Sequence, residues 1–472
     1  MPISFRPAQT NGSSVRRRSR AVLALVLIGI ALSTAIPLSA QEAATTTRAG
    51  RVAPLTLPDV LAGVRREHPV AQAASARIDA ARASRATAGA FSNPVLQYQV
   101  ENTPLPGGAS VPMDREAMAT AMIPLEPFYQ RGPRIARANA DVRAAQANAS
   151  AQSIQLSLDA SHAFYGVALA QVGVDVTRDL AEWLDSVVVY NRARVKEGIA
   201  AEADLLRAQL EQDRAAAELS MQEADLARAR AVLASYFGVP PANAAIVVAI
   251  DDQPLALPLL TTADGLPRGV GPSAAISAGQ PRVIAARERV ASAAAGVSLE
   301  RRMLVRDFSA VLGTKQTAGT TSLIAGVSAP LPLFTRNRGE IARASAEQRA
   351  VTFELAAVER AAWADLSGAY EAARVLSARA VVLAAPPAGA RATTPALLLR
   401  ADESRRIALG AYREGAVSLL SVLDAARAWG EVRLTFYRAL YAQHESALAL
   451  AAALGLDPQV VIGPVTTPAV RQ

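Results

Sequence analysis

The sequence predicts a mainly α-helical chain built as a tandem repeat, in which short membrane-type β-strands are set between very long helical hairpins. Three observations carry this. From Pro133 to Gly238 the chain is nearly free of helix breakers and rich in Ala, Leu, Arg, Glu and Gln. The same pattern returns downstream at a fixed offset. Ahead of each long helical stretch lie two short segments with the two-residue periodicity of a strand.

The first rod sets the scale. At about 1.5 Å per residue, Pro133 to Lys196 would reach roughly 95 Å as one helix, and Ile199 to Phe237 is expected to return beside it. In the returning arm Leu205, Ala208, Ala215, Leu219, Leu226 and Ala229 share one heptad seam, interrupted by Gln212 and Gln222. The pattern is an antiparallel hairpin with its tip at Gly198.

The duplication is read from register. Pro124-Leu125 and Phe128 superpose on Pro330-Leu331 and Phe334, and Ile135-Ala136-Arg137-Ala138 on Ile341-Ala342-Arg343-Ala344. Around the tips the offset changes: Glu197-Gly198 superposes on Glu414-Gly415, Ala208 on Ala425, and Phe237-Gly238 on Leu454-Gly455. The extra residues fall in the Pro- and Gly-bearing stretch 384–394, which cannot remain helical and reads as a loop inserted in the second rod. Upstream, His68-Pro69 matches Gln280-Pro281. The expected organisation is a signal peptide over 1–40 and a first repeat over 41–240, holding a helix, a β-hairpin at 94–124 and a helical hairpin at 133–238. A linker over 241–279 leads to a second repeat over 280–456, with a helix, a β-hairpin at 307–330 and a helical hairpin at 337–455. A flexible tail over 457–472 ends the chain.

Composition narrows the function classes. The chain has no Cys and only three His, so disulfides, thiolate chemistry and Cys-based metal sites are excluded. Arg16-Arg17-Arg18-Ser19-Arg20 precedes an apolar run from Ala21 to Ile36 and small residues before Gln41, the pattern of a secretory signal peptide. The apolar run is shorter than the ~20 residues of a spanning helix. Removing residues 1–40, which hold five arginines and no acid, leaves 44 basic against 41 acidic residues. The basic isoelectric point therefore belongs largely to the leader, and nucleic-acid binding is not expected. No HExxH, GxSxG or Walker loop is present, so no enzyme, cofactor or metal site is predicted. His68, His162 and His444 are too scattered to form a ligand set and read as surface or packing residues; Trp183, Trp363 and Trp429 read as helix-contact residues.

The strands carry the membrane argument. In Val95 to Glu101, Leu96, Tyr98 and Val100 face one way and Gln97, Gln99 and Glu101 the other. Glu116 to Ile123 follows a turn-rich loop, and in the second repeat Asp307 to Leu312 and Thr321 to Ala329 flank a polar loop at Thr314 to Gly319. Each strand with its flanks approaches the roughly 9 to 11 residues that cross a bilayer when tilted. Four strands cannot close a spanning barrel, because even the smallest has about eight. If these strands enter a membrane, several chains must share one barrel. The other reading open at this point is a soluble α+β protein with small sheets packed on helices.

Leader, repeat, paired strands and long rods together resemble the TolC family of outer-membrane efflux channels over roughly Leu55 to Leu456. Phe91-Ser92-Asn93-Pro94 before the first strand, and the stretch from Pro330-Leu331-Pro332-Leu333-Phe334 to Gly339 before the second rod, resemble the CzcC-like and CusC-like branch. The resemblance implies a homotrimer in the outer membrane of a Gram-negative cell, extending into the periplasm. Twelve strands would form one barrel and the helices a periplasmic tunnel. It would be a passive duct coupled through a periplasmic adaptor to an inner-membrane pump, with heavy-metal cations or drugs as cargo. Two sites are implied. The tips Glu197, Gly198, Ile199 and Glu414, Gly415, Ala416 would dock the adaptor, and Asp204, Asp424 and Tyr412 would form a periplasmic gate. Val417 and Ser421 depart from the family pattern, standing where some relatives carry a locking arginine and a further aspartate. Two alternatives stay open: a channel for type I protein secretion, and a soluble periplasmic helical scaffold.

Overall fold

The computed structural model describes residues 54–103, 114–237, 246–255, 273–303, 308–329, 336–387 and 394–458. The leader, most of the loop after the first strand, the segment 330–335, residues 388–393 and the tail from 459 onward lie outside the described residues. The element order is α1 (Leu57–Glu67), α2 (Pro69–Gly89), β1 (Val95–Glu101), β2 (Glu116–Pro124), α3 (Pro127–Lys196) and α4 (Glu202–Ser235). It continues with α5 (Ala274–Ser277), α6 (Pro281–Arg302), β3 (Ser309–Thr317), β4 (Thr320–Ser328), α7 (Arg338–Ala384), α8 (Ala396–Arg413) and α9 (Leu419–Ala453).

The first rod is longer than the breaker pattern indicates, and its partner is shorter. Helix α3 has 70 residues, roughly 105 Å, and begins at Pro127, with Pro133 inside it. Pro133 has no N–H for the Tyr129 carbonyl one turn back, and the Arg302 guanidinium takes that acceptor at 2.8 Å. This external donor is why the sequence rule that starts a helix at proline misplaces the boundary here. Helix α4, with 34 residues, spans only about half of α3. It therefore does not run back along the whole rod; the remainder of α3 packs on α2, α6 and α9. The expected seam is the buried face of α4, with Ala208, Ala215 and Leu226 buried and Leu205, Leu219 and Ala229 partly so. Where α4 packs beside α3, a Cβ at Gly173 would lie 2.6 Å from Gln222 Oε1, the flexible end of a side chain that would have to swing aside. The second rod is interrupted between Ala384 and Ala396, as its composition requires.

The four strands form one antiparallel sheet in the order β1-β2-β3-β4. Strand β3 runs on to Thr317, through residues whose polarity reads as a loop. The turn is only Ala318-Gly319, both with positive φ (49° and 82°), the two-residue form that suits the strand twist. The polar alternation of Thr314 to Thr317 is edge-to-edge paired backbone, not loop. Register puts Leu96, Tyr98, Ala119, Ala121, Leu312, Leu323 and Val327 on one face. The opposite face carries Gln97, Gln99, Glu101, Glu116, Thr120 and Lys315, with Lys315 Nζ 2.6 Å from Glu116. The apolar face is bare: Leu96 and Leu323 are each 79% exposed.

The linker between the repeats is not free chain. Its described part, 246–255, is held by two buried glutamines acting as surrogate strand partners. Gln171 of α3 donates to Val248 O at 3.1 Å and accepts from Val248 N at 2.9 Å. Gln443 of α9 does the same for Leu255, at 3.0 Å each way. Leu55 pairs with Val248 in a parallel bridge, and Tyr437 donates to Asp252 at 2.7 Å. The strap so formed ties α1, α3 and α9 together around Tyr165, Phe436, Tyr441 and His444.

Two predictions come from the strap. Gln171→Ala and Gln443→Ala each strand a backbone N–H and C=O, so each is expected to cost on the order of 1–3 kcal/mol per group left unpaired, read as a lowered thermal midpoint. The histidines act with opposite sign on pH dependence. The Glu445 carboxylate at 3.0 Å raises His162 above its ordinary 6.5, so its contribution is full below 6.5 and lost as pH rises through the raised value. Burial lowers His444 below 6.5, so its contribution is present above 6.5 and lost as pH falls through the lowered value. Urea midpoints measured across pH should lose their acid-side fall in His444→Gln and their alkaline-side fall in His162→Gln.

Candidate functional site

Both hairpin tips are built by one backbone device, repeated. Helix α3 ends with Gly198 at φ 74°, where the Gly198 N–H donates to Val195 O at 3.0 Å and the Ile199 N–H to Arg194 O at 2.9 Å. Helix α8 ends with Gly415 at φ 80°, where the Gly415 N–H donates to Tyr412 O at 3.0 Å and the Ala416 N–H to Ala411 O at 2.8 Å. This pairing of bonds with a left-handed residue satisfies the last carbonyls of each helix, and glycine adopts that φ without a Cβ clash. Glu197, Gly198, Ile199, Glu414, Gly415 and Ala416 are all exposed, Ile199 at 62%. After the second tip Ser418 caps α9 by accepting from Ser421 N at 3.4 Å; after the first, Ala201 stands in that place.

The two tips share one core. Leu184, Val187 and Val188 of α3, Ala208 of α4, Tyr412 of α8 and Leu419, Val422 and Leu423 of α9 form a single buried cluster. Val417 packs against its rim. Of the residues singled out from sequence, Tyr412 lies within this cluster and Val417 against it, while the tip residues and the two aspartates are in other settings.

Tyr412 is inside this cluster, 5% exposed, and donates its hydroxyl to Asn191 Oδ1 at 2.5 Å. Burial pushes its ionisation above the ordinary tyrosine range, against the opposing pull of Arg194. The Arg194 guanidinium lies 5.4 Å from the Tyr412 ring and 5.6 Å from Tyr190. In the single chain Tyr412 is therefore a clasp joining α8 to α3. Asn191 and Arg194 complete it and were not visible as site residues in the sequence. Their only signal was a polar pair one turn apart beside Tyr190, near the tip.

Asp204 and Asp424 are accessible. Each has an arginine three residues on: Arg207 at 3.8 Å from Asp204 and Arg427 at 3.4 Å from Asp424. Arg427 also reaches Glu211 of α4, its Nε 3.3 Å from Oε2, so the second carboxylate belongs to a bridge between hairpins. Exposed pairs of this kind contribute little to stability, and the arginines offset part of the local negative charge. No group of three or more His, Cys, Asp or Glu suited to a metal ion occurs among the described residues. No described helix is long and apolar enough to cross a membrane.

The clasp gives a test. Tyr412→Phe leaves the buried Asn191 oxygen without its donor, worth about 1–3 kcal/mol. Hydrogen exchange at 193–202 and 410–419 should quicken roughly tenfold or more, with the sheet unaffected.

The chain is similar to known proteins along most of its length. A family model described as "Outer membrane efflux protein" matches residues 62–239. The cobalt-zinc-cadmium resistance protein CzcC of Cupriavidus metallidurans is 25% identical over 405 residues, covering 85% of this chain and 90% of that protein. Among solved structures, CusC superposes with a TM-score of 0.67 at 16% identity, covering 85% of this chain and 92% of the other. The open-state outer membrane channel MtrE of Neisseria gonorrhoeae gives 0.65 at 18%, covering 85% and 89%.

Proposed function

We propose that the chain is an outer-membrane channel of the TolC-type efflux family and that three copies pool their sheets into one closed barrel. The observation that carries this reading is the sheet itself. Its strands have 7 to 9 residues, one face is apolar and bare, and β1 and β4 each leave an edge without a strand partner among the described residues. In hydrocarbon an unpaired strand edge costs several kcal/mol per stranded group, and closure on neighbouring copies removes it. The polar face then lines the lumen. The helical hairpins continue the duct into the periplasm and end at the paired glycine tips.

At those tips we place the adaptor-docking surface, because the exposed Glu-Gly pair repeats in sequence and the turn around it repeats in conformation. Asp204 and Asp424, three copies each, form a cation-favouring mouth. The Tyr412 clasp sets the relative position of the two hairpins behind it. The likeness to CzcC supports divalent metal cations as cargo, handed on by an inner-membrane pump. No binding cage is needed in a water-filled duct, where selectivity comes from rings of like charge.

Cross-linking of the purified protein should yield a trimer, and planar-bilayer recordings should show a cation-preferring conductance. Replacing both aspartates, Asp204→Asn with Asp424→Asn, should lower cation selectivity while leaving trimer yield unchanged. Unchanged selectivity would reject the carboxylate mouth. A monomer in mild detergent would reject the shared barrel.

A further inference from the structure

The helices next to the tips form a row with two open ends. There α4 packs on α3, α3 on α9 and α9 on α8, so α4 stands at one end of the row and α8 at the other. Helix α4 is apolar on opposite sides. Its inner side is the seam of Ala208, Ala215 and Leu226, which is buried. Its outer side carries Leu206, Leu210, Ala217, Met221 and Ala224 at spacings of three, four or seven residues, and all five are exposed, Leu206 at 59% and Leu210 at 66%. A helix with apolar residues on opposite sides is one that packs on both.

The other end, α8, offers a surface that matches. Leu398 and Tyr412 face inward and are buried, whereas Ile407 is 58% exposed and Arg400 is exposed. A Cβ added at Gly410 would meet nothing within 4 Å, so this side of the helix is bare. Heights agree as well. The two tips share one core, so Gly198 and Gly415 mark a common level. Leu206 lies eight residues after Gly198 and Ile407 eight before Gly415; Asp213 lies fifteen after the one and Arg400 fifteen before the other. At about 1.5 Å per residue the apolar pair stands roughly 12 Å from the tips and the charged pair roughly 22 Å. Asp213 sits on the outer stripe of α4, between Leu210 and Ala217. On these same two helices Arg228 and Arg406 are each paired with an acid three residues before them. Asp213 and Arg400 have no ion-pair partner among the described residues, and Arg400 is held there by one hydrogen bond, from Nε to Ala396 O at 3.2 Å.

We propose that α4 of one copy packs antiparallel against α8 of the next, with Ile407 seated between Leu206 and Leu210 and with Asp213 paired to Arg400. The inference rests on the reading that copies pool their sheets, and it names the residues that join them near the tips. A second copy is the occupant because the two end surfaces carry opposite charges at equal height. Direction points the same way: α3 and α8 run toward the tips and α4 and α9 away from them, so α8 followed by α4 continues the alternation of the row. One such contact, repeated from copy to copy, closes a ring. The apolar side chains supply the contact, and the ion pair pins its register. A slip by one helical turn would set both charges against apolar neighbours, a penalty of the kind that fixes the pairing of coiled helices.

The chain has no Cys, so an introduced pair reports without background. In the full-length protein in mild detergent, Leu206→Cys with Ile407→Cys should form a disulfide between copies under a mild oxidant. Denaturing gels should then show a ladder up to trimer that reductant abolishes, and either substitution alone should give none. Asp213→Lys or Arg400→Glu alone should speed trimer dissociation roughly fivefold, and the two together should restore most of the wild-type rate. A cysteine pair that stays monomer-sized, or charge reversals whose effects simply add, would overturn the proposal. A trimer in the cross-linking of the unmodified protein without the disulfide ladder would reject this seam and leave the shared barrel standing; a monomer there would remove both.

Discussion

Backbone hydrogen bonding without water is the constraint on which the rest of this architecture depends. A sheet with one apolar face can sit in a bilayer only if no strand leaves its N–H and C=O groups facing hydrocarbon. Among the described residues the chain supplies four strands and two open edges, too few to close alone. That shortage is what the proposed pooling of sheets between copies would relieve. The exposed Leu96, Tyr98, Leu323 and Val327, which would be a liability in water, are the surface that lipid covers.

Below the sheet the physics changes from edges to close packing. The interior of the helical part is rich in alanine: Ala138, Ala140, Ala144, Ala160 and Ala168 on α3, Ala285 and Ala286 on α6 and Ala344, Ala362, Ala373 and Ala380 on α7 are buried. Small side chains let helix axes approach closely, so contact is spread along the rods. Larger side chains concentrate at two levels, the strap around Tyr165, Phe436 and Tyr441, and the tip around Leu184, Tyr412 and Leu423. Those two levels hold the hairpins in register, and polar groups do much of the work there: Gln171 and Gln443 at the strap, Asn191 and Arg194 at the tip.

Much of this was legible in the sequence because it follows from local rules. Strand alternation, the glycine tips, the α4 seam and the break in the second rod each depend on residues close together in the chain. What escaped depends on partners far apart. Helix α3 begins before Pro133 because Arg302 supplies a donor from across the fold. The linker is anchored because two glutamines, each unremarkable on its own helix, meet backbone groups 77 and 188 residues away. Strand β3 extends through polar residues because its neighbours supply ladder partners, which no single-segment pattern reveals. For the gate, sequence placed the carboxylates and the tyrosine in one neighbourhood but not the burial of Tyr412.

The two rods differ in one respect that the repeat obscures. Helix α3 is an unbroken beam of 70 residues, whereas its counterpart is divided into α7 and α8, with 18 residues in the piece that reaches the tip. An intact helix resists bending along its whole length, while a break in the hydrogen-bond ladder concentrates flexure at one point. Compliance therefore lies on one side of the chain, where the short α8 stands as a lever beside the unbroken α3, like a shutter blade hung on a fixed post.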